Sequence, residues 1–95
     1  MKIALFGKNY QNNTIEIIRK VIDVLEKKGA EICIEKKFFE SIKDEIKFSK
    51  EYEIYKKHDE LNESIDFLIS IGGDGTILRA ATLVRDKKIP IVGVN

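Results

Sequence analysis

Asp66-Phe67-Leu68-Ile69-Ser70-Ile71-Gly72-Gly73-Asp74-Gly75-Thr76 is the stretch that decides the fold. Its first half is a continuous apolar run of strand length, which is typical of a strand covered on both faces in a parallel sheet. Its second half, the glycine turn (residues 72–76), ends that strand. Apolar residues then recur at helical spacing and share one face: Ile77, Ala80, Ala81 and Val84. A buried strand that runs through a turn into a helix predicts one unit of an α/β fold.

Similar signals surround this unit. Lys2 to Phe6 is a short apolar run that predicts a first buried strand. Helical spacing follows from Asn13, a predicted cap, to a stop at Gly29. Ala30 to Glu35 alternates apolar and polar residues, which predicts a strand with one buried face near a sheet edge. Ile89 to Asn95 reads as a last strand. The order predicts an open, mostly parallel α/β sheet of the Rossmann-like kind, with helices on both faces.

The segment from residue 36 to residue 64 gives weaker signals. Its apolar residues predict a broken amphipathic helix: Phe38, Phe39, Ile42, Ile46 and Phe48. Lys50 to Asn62 is highly charged and fits a loop, a frayed helix or an arm that reaches a partner subunit. Because acidic residues are interleaved with Tyr52 and Tyr55, we interpret this part as a solvated segment.

Composition narrows the classes of function. The 17 basic residues nearly balance the 16 acidic ones, so the net charge of +1 gives no reason to expect nucleic acid or an acidic membrane as a partner. The apolar runs are far shorter than the roughly 20 residues that span a bilayer. Cys33 is the one cysteine, and the N-terminus has no secretory signal, so we expect a cytoplasmic protein.

The last predicted strand leads to an expectation about domain organisation. That strand closes the sequence at Asn95 with no helix after it to cover it. We therefore expect residues 1–95 to be the N-terminal α/β domain of a longer protein. An intact mass of the native protein near that of 95 residues would contradict this expectation.

The glycine turn has the features of a phosphate-binding loop. It is predicted at the carboxyl end of a parallel strand, where ligands of open α/β sheets collect, and it opens a helix whose first N–H groups suit phosphate oxygens. Asp74 would repel phosphate unless it holds a metal ion or accepts a hydroxyl proton, and both roles belong to phosphoryl transfer. A purely structural turn with a capping residue is the alternative. Lys8 and Asn9 follow the first strand and could line the same cleft, although lysines in loops are usually only solvated.

Other nucleotide and metal signatures are absent from the sequence. Only Gly7 follows the first strand, so the Rossmann glycine fingerprint is missing, and no glycine-rich stretch ends in Gly-Lys-Ser or Gly-Lys-Thr. One histidine and one cysteine cannot build a zinc site.

At this point the sequence resembles a known family. The glycine turn, continued by Ile77-Leu78-Arg79-Ala80-Ala81, resembles the glycine–aspartate motif of NAD kinases, and Pro90-Ile91-Val92-Gly93-Val94-Asn95 resembles the segment that follows it there. Met1 to Gly7 is similar to the family's opening strand. The five-residue motif is shared with phosphofructokinases and with diacylglycerol and sphingosine kinases, so the resemblance implies a phosphofructokinase-like N-terminal fold.

The resemblance also implies an activity and site residues. The activity is transfer of the ATP γ-phosphoryl group, with a divalent metal such as Mg²⁺, to the 2′-hydroxyl of the adenosine ribose of NAD, which gives NADP. Asp74 matches the proton acceptor. Gly75 and Arg79 match positions that contact the dinucleotide. Gly72, Gly73 and Thr76 complete the loop around its phosphates, and Asn95 lies at the end of a strand that faces the same cleft. A homo-oligomeric full-length protein is expected.

The resemblance has limits within this sequence. NAD kinases carry a second motif, an Asn beside an acidic residue, in a β-rich NAD-binding domain that lies beyond Asn95, so the fragment alone is expected to have little or no activity. A related lipid or sugar-phosphate kinase and a non-catalytic nucleotide-binding module are the alternatives. The breadth of phosphoryl donors and the preference for NAD or NADH are left open by the sequence.

Overall fold

The computed structural model describes residues 1–8 and 12–94, apart from the side chains of four of them: Asn12, Asn13, His58 and Asp74. The elements in chain order are β1 (Lys2–Gly7), α1 (Asn12–Lys27), β2 (Glu31–Glu35), α2 (Lys36–Ile42), β3 (Glu53–Tyr55), a short 3-10 helix (His58–Glu60), β4 (Phe67–Ile71), α3 (Asp74–Val84) and β5 (Ile91–Val94).

The five strands form one sheet in the order β3-β2-β1-β4-β5, and all four pairings are parallel. The central pair joins β1 to β4, with Leu5 beside Ile69. The predicted open sheet is therefore confirmed, and each described strand pairs in the parallel sense.

Helices cover both faces of the sheet, as predicted. On one face the side chains of α1 and α2 form one buried cluster with alternate strand residues, and this cluster includes Ile18, Phe38 and Leu5. On the opposite face Ala80 and Val84 of α3 pack with the other set of strand residues. Right-handed crossovers explain this division, because β1 to β2 and β4 to β5 step across the sheet in opposite directions.

Helix α1 forms where the apolar spacing predicts it. Ile15, Ile18, Ile22 and Leu25 are buried along one stripe. The helix stops at Gly29, whose φ is 72°. The Gly29 N–H donates to the Glu26 carbonyl and the Ala30 N–H to that of Leu25, each at 3.1 Å, which is the hydrogen-bond pair of a Schellman stop. The helix begins at Asn12, so Asn13 lies inside it instead of capping it, and the Asn13 side chain is outside the described part.

The prediction that β2 has only one buried face is wrong, whereas its predicted place near a sheet edge is confirmed, because β2 lies next to the edge strand β3. β2 pairs with β1 on one side and with β3 on the other. Both alternating sets of its side chains are buried, including Cys33 and Glu35. Cys33 packs in the α3-side core, and the Glu35 carboxylate is satisfied because it accepts the backbone N–H groups of Lys37 and Phe38 at 3.0 and 2.8 Å. The polar residue types in β2 therefore led to a prediction of one exposed face for a strand that is buried on both faces.

The interpretation of residues 50–62 as a solvated segment is also wrong in part. Residues 53–55 form the edge strand β3, and Tyr55 is buried with its hydroxyl donating to the Leu5 carbonyl at 2.8 Å. Leu61 is buried in the same core. The predicted broken helix is observed as α2, which ends at Ile42 and is followed by a turn that buries Ile46.

The glycine turn has a constrained start. Gly72 has a φ of 143°, a backbone conformation that residues with a side chain rarely adopt. Its N–H donates to the Val94 carbonyl at 2.9 Å. A Cβ at Gly72 would lie 2.5 Å from Oγ1 of Thr76. Gly73 precedes the helix with an ordinary φ of −86°. The Gly72 backbone thus packs directly against the Thr76 side chain, with no room for a side chain at position 72.

Helix α3 buries a slightly different face from the predicted one. Thr76, Ala80 and Val84 are buried and Ile77 is half-buried, but Ala81 is exposed. The Ile77 side chain lies over Gly93 of β5, where a Cβ would come within 2.7 Å of it. The helix therefore sits on β4 and β5 along the Thr76–Ala80–Val84 stripe.

Two buried hydroxyls should differ in their effect on stability. We expect Tyr55→Phe to lower the free energy of unfolding by about 1–2 kcal/mol, because it removes a buried hydrogen bond. Ser70→Ala should lose nothing or gain up to about 1 kcal/mol, since the Ser70 hydroxyl is buried without a partner among the described residues. Equilibrium urea unfolding of both variants measures this, and equal losses would contradict the assignment.

Two neighbouring glycines should also differ. Gly72→Ala is expected to lower the free energy of unfolding by about 2 kcal/mol or more, because the strained φ and the Thr76 contact both oppose a methyl group. Gly73→Ala should change it by less than about 0.5 kcal/mol, as nothing described lies within 4 Å of its Cβ position. Thermal and urea unfolding check this, and a Gly73→Ala loss as large as that of Gly72→Ala would refute it.

Candidate active site

The topology creates a crevice at the carboxyl ends of β1 and β4. From these central neighbours the chain leaves in opposite directions, toward β2 and toward β5. Open α/β sheets bind ligands at such a switch point. The loop after β1 and the glycine turn begin side by side, since the Lys8 N–H donates to the Ile71 carbonyl at 3.3 Å. The fold therefore brings the predicted site loop to the expected ligand edge.

The glycines of the turn are of two kinds. Gly72 is required by its own backbone, as described above. Gly73 and Gly75 are exposed, have φ values that other residues adopt, and would meet nothing described within 4 Å of an added Cβ. Inside a helix, as at Gly75, glycine costs about 1 kcal/mol relative to alanine. Packing among the described residues gives no reason for either glycine, whereas close approach of a ligand to the backbone would explain both.

The structure places the remaining predicted site residues in different settings. Asp74 is the first residue of α3, but its side chain lies outside the described residues, as does the whole of Asn95. Thr76 is buried beneath Gly72 and shapes the turn from inside. Arg79 is exposed on α3, one turn beyond Gly75. The turn and Arg79 thus share one edge of the sheet.

A cleft of about 480 Å³ opens at the carboxyl ends of β1 and β2, and among the described predicted site residues it is Arg79 that lines it. It is lined by the end of β1, the end of β2, α2 and α3: Phe6, Gly7, Lys8, Glu35, Lys37, Phe38, Ser41, Arg79, Thr82 and Leu83. Lys8, which could be only a solvated loop lysine on sequence grounds, is among the residues that line this cleft, and Asn9 lies outside the described residues. This volume falls in the range of small-molecule sites, about 300–1,000 Å³.

Sequence reasoning missed the α2 side of this cleft. Glu35 ends β2 and Lys37 follows it in α2, and that position was the available signal, because the ends of parallel strands meet at one edge. A tight approach closes the floor of the cleft: a Cβ at Gly7 would lie 2.7 Å from the Ile71 carbonyl oxygen and 3.1 Å from the Phe38 ring. Because Gly7 has no side chain, β4 and α2 can both pack closely against the end of β1.

Other reactive groups do not add to the site. Burial raises the pKa of the Cys33 thiol to about 11, so the thiol stays protonated near neutral pH and packs as a small apolar group. Among the described side chains, no three histidine, cysteine or acidic residues cluster as a metal site. In the same part of the chain, no helix has the length and apolar character needed to cross a membrane.

Comparison with known proteins agrees with this geometry. The family model of the ATP-NAD kinase N-terminal domain matches residues 3–95. The NAD kinase of Flavobacterium psychrophilum is 43% identical over 95 residues, which is all of this chain and 32% of that protein. The NAD kinase of Bacteroides fragilis is 43% identical over 96 residues, with the same coverage, and that of Methanothermobacter thermautotrophicus is 36% identical over 95 residues.

A solved structure supports the fold. The yeast NADH kinase complexed with NADH matches with a TM-score of 0.69 over 98% of this chain and 30% of that one, at 19% identity. The chain spans about a third of the length of the curated relatives it matches. Because the family model covers nearly every residue, this chain belongs to the family of ATP-NAD kinase N-terminal domains.

Proposed function

We propose that the full-length protein containing this chain is an NAD kinase, which transfers the γ-phosphoryl group of ATP to the 2′-hydroxyl of the adenosine ribose of NAD and releases NADP. Support comes from the family membership, from relatives named NAD kinase, and from a structural neighbour that was solved with NADH bound. Residues 1–95 would form its N-terminal domain, with a β-rich domain after them that completes the dinucleotide site.

The observation that carries the proposal is the pair of glycines without a packing role. Gly73 and Gly75 leave open space on the outer side of the turn, at the start of a helix of 11 residues. Phosphate oxygens of a dinucleotide or of a phosphoryl donor can approach such a backbone closely and accept its N–H groups. A turn with a structural role alone would gain helix stability from alanine at Gly75.

Asp74 would receive the ribose hydroxyl. A free aspartate has a pKa of about 3.9, which is low for a general base near neutral pH. Phosphoryl transfer through a loose transition state needs little early deprotonation. The Asp74 carboxylate would therefore mainly hold the 2′-hydroxyl in line with the γ-phosphorus, and accept the proton late.

The other matched residues would complete the acceptor site. Gly72 and Thr76 set the shape of the turn, and Gly73 and Gly75 allow the close approach. Arg79 would contribute charge to the dinucleotide, and Asn95 would face it from the end of β5.

The divalent metal would enter with the donor. Mg²⁺ commonly binds through one or two carboxylates together with substrate phosphates and waters. Glu35 is the carboxylate among the cleft-lining residues, and its two oxygens already accept backbone N–H groups. The cleft residues thus do not supply a full set of Mg²⁺ ligands, and the metal would enter bound to ATP, as part of the substrate MgATP. We further propose a homo-oligomeric protein in the cytoplasm.

The activity can be tested directly. Purified full-length protein with NAD, ATP and Mg²⁺ should form NADP, measured with an NADP-specific dehydrogenase. A reaction without ATP is the control. If NADP does not form while a diacylglycerol or a sugar phosphate is phosphorylated, the related-kinase alternative is correct. If no phosphoryl transfer is found, the non-catalytic alternative replaces the proposal.

Asp74→Asn tests the central residue. In the full-length enzyme we expect the variant to lower kcat by at least about 100-fold, in the range for loss of a catalytic proton acceptor, with the Kd for NAD changed less than about threefold. Asp86→Asn, the same change at an exposed residue just beyond α3, is the matched control and should leave both values unchanged. Unchanged turnover in Asp74→Asn would remove Asp74 from the mechanism.

A further inference from the structure

We infer that Gly93 of β5 is a positioning residue for Asp74, and that it acts through the Ile77 side chain. The inference rests on the proposed function, because it takes Asp74 as the group that receives the ribose hydroxyl. It adds a residue that lies outside the glycine turn. Strand β5 is thereby the support that sets the position of Asp74.

Two consecutive residues of β5 hold the two ends of the glycine turn. The Val94 carbonyl accepts the Gly72 N–H at 2.9 Å, where the turn begins. The Gly93 backbone lies against the side chain of Ile77, the first residue after the turn. Asp74, the first residue of α3, lies between these two anchors. Its position at the edge of the sheet therefore depends on β5.

The first turn of α3 transmits the Ile77 contact to Asp74. The N–H groups of Thr76 and Ile77 both donate to the Gly73 carbonyl, at 3.0 and 3.4 Å, which closes residues 73–77 into one hydrogen-bonded unit. A displacement of Ile77 away from the sheet therefore moves the whole unit, including Asp74. Because Gly72 stays bound to β5 at the other end, the displacement also strains the hydrogen bond of its N–H.

Among the described residues, the Ile77 side chain is what opposes a larger residue at position 93. Gly93 has no positive φ, and β-branched residues suit the backbone of a strand. A Cβ at Gly93 would lie 2.7 Å from Cδ1 of Ile77 and 3.4 Å from its Cγ1. Rotation about the end of the Ile77 side chain makes room for alanine, because it moves Cδ1 away. Valine adds two more carbons, and since isoleucine has one strongly preferred χ1 in a helix, Cγ1 stays in place and the helix has to shift.

Steady-state kinetics of the full-length enzyme test the inference. Gly93→Val should lower kcat about 30- to 100-fold, since a misplacement of about 1 Å can cost about 100-fold in rate. Ile77→Ala alone should keep kcat close to the wild-type value, because the rest of the buried stripe of α3 still holds the helix on the sheet.

Exchange of the two side-chain sizes should reverse the loss. Gly93→Val combined with Ile77→Ala places the large residue on β5 and the small one on α3, and this double variant should recover most of the lost kcat. Leu78→Ala is the matched control, because Leu78 is the next residue of α3 and is 70% exposed. Its truncation should not rescue Gly93→Val.

A loss that acts through Asp74 should disappear when Asp74 is already disabled. In the Asp74→Asn background, Gly93→Val should lower the residual kcat by less than about threefold, because the two changes remove the same interaction. A general loss of structure would instead lower kcat as much in this background as in the wild type, and that result would overturn the inference.

Amide hydrogen exchange separates this inference from the proposed activity. In the full-length protein, Gly93→Val should speed exchange of the Gly72 N–H at least about tenfold, because its bond to Val94 is strained, and adding Ile77→Ala should restore the protection. The Ala30 N–H, which donates to the Leu25 carbonyl at the distant end of α1, is the internal control and should not change.

The outcomes distinguish the two proposals. If the wild type forms no NADP, the proposed function fails, whereas the exchange rates still report whether Gly93 positions the glycine turn. An unchanged kcat in a folded Gly93→Val variant would overturn the inference. A loss of kcat that Ile77→Ala does not reverse, or an unchanged exchange rate of the Gly72 N–H, would overturn it as well.

Discussion

The parallel pairing of β1 with β4 at the centre of the sheet is the constraint on which the rest of the structure depends. It places Lys8, just after β1, beside the start of the glycine turn, because the Lys8 N–H donates to the carbonyl of Ile71. Since right-handed crossovers then carry the chain to opposite faces, α2 and α3 flank the same edge of the sheet. The crevice and the cleft are therefore consequences of strand order.

Glycine serves two purposes at this edge. Gly7 and Gly72 are needed for folding. The lack of a Cβ at Gly7 leaves room for the Ile71 carbonyl and the Phe38 ring, and Gly72 adopts a φ of 143° next to the Thr76 side chain. Nothing among the described residues gives Gly73 or Gly75 such a reason, and Gly75 weakens the first turn of α3 relative to alanine. Within the five residues of the glycine turn, Gly72 is thus needed for the fold, whereas Gly73 and Gly75 are assigned to the proposed function. The proposed active site uses the glycines that the fold does not need.

The sequence predicted the elements whose signal is local. β1, β4, α1 and the start of α3 follow from apolar runs, helical spacing and the stop at Gly29. β3 could not be predicted this way, because it has only three residues, one of them Glu53, within a highly charged stretch, and it forms by pairing with β2. β2 was taken as a half-buried strand near the edge, since only the folded chain shows that Glu35 is buried as the cap of α2. The glycine turn was visible in the sequence, but the cleft was not, because Lys8, Lys37 and Arg79 come from three distant segments.

One structure would test the account most directly: a crystal structure of the full-length protein with NAD and AMP-PNP bound. The account predicts the 2′-hydroxyl of the adenosine ribose within about 3 Å of the Asp74 carboxylate, in hydrogen-bond range. It also predicts phosphates against the backbone of Gly73 and Gly75. An adenosine ribose bound away from the glycine turn, with Asp74 facing no ligand, would contradict it.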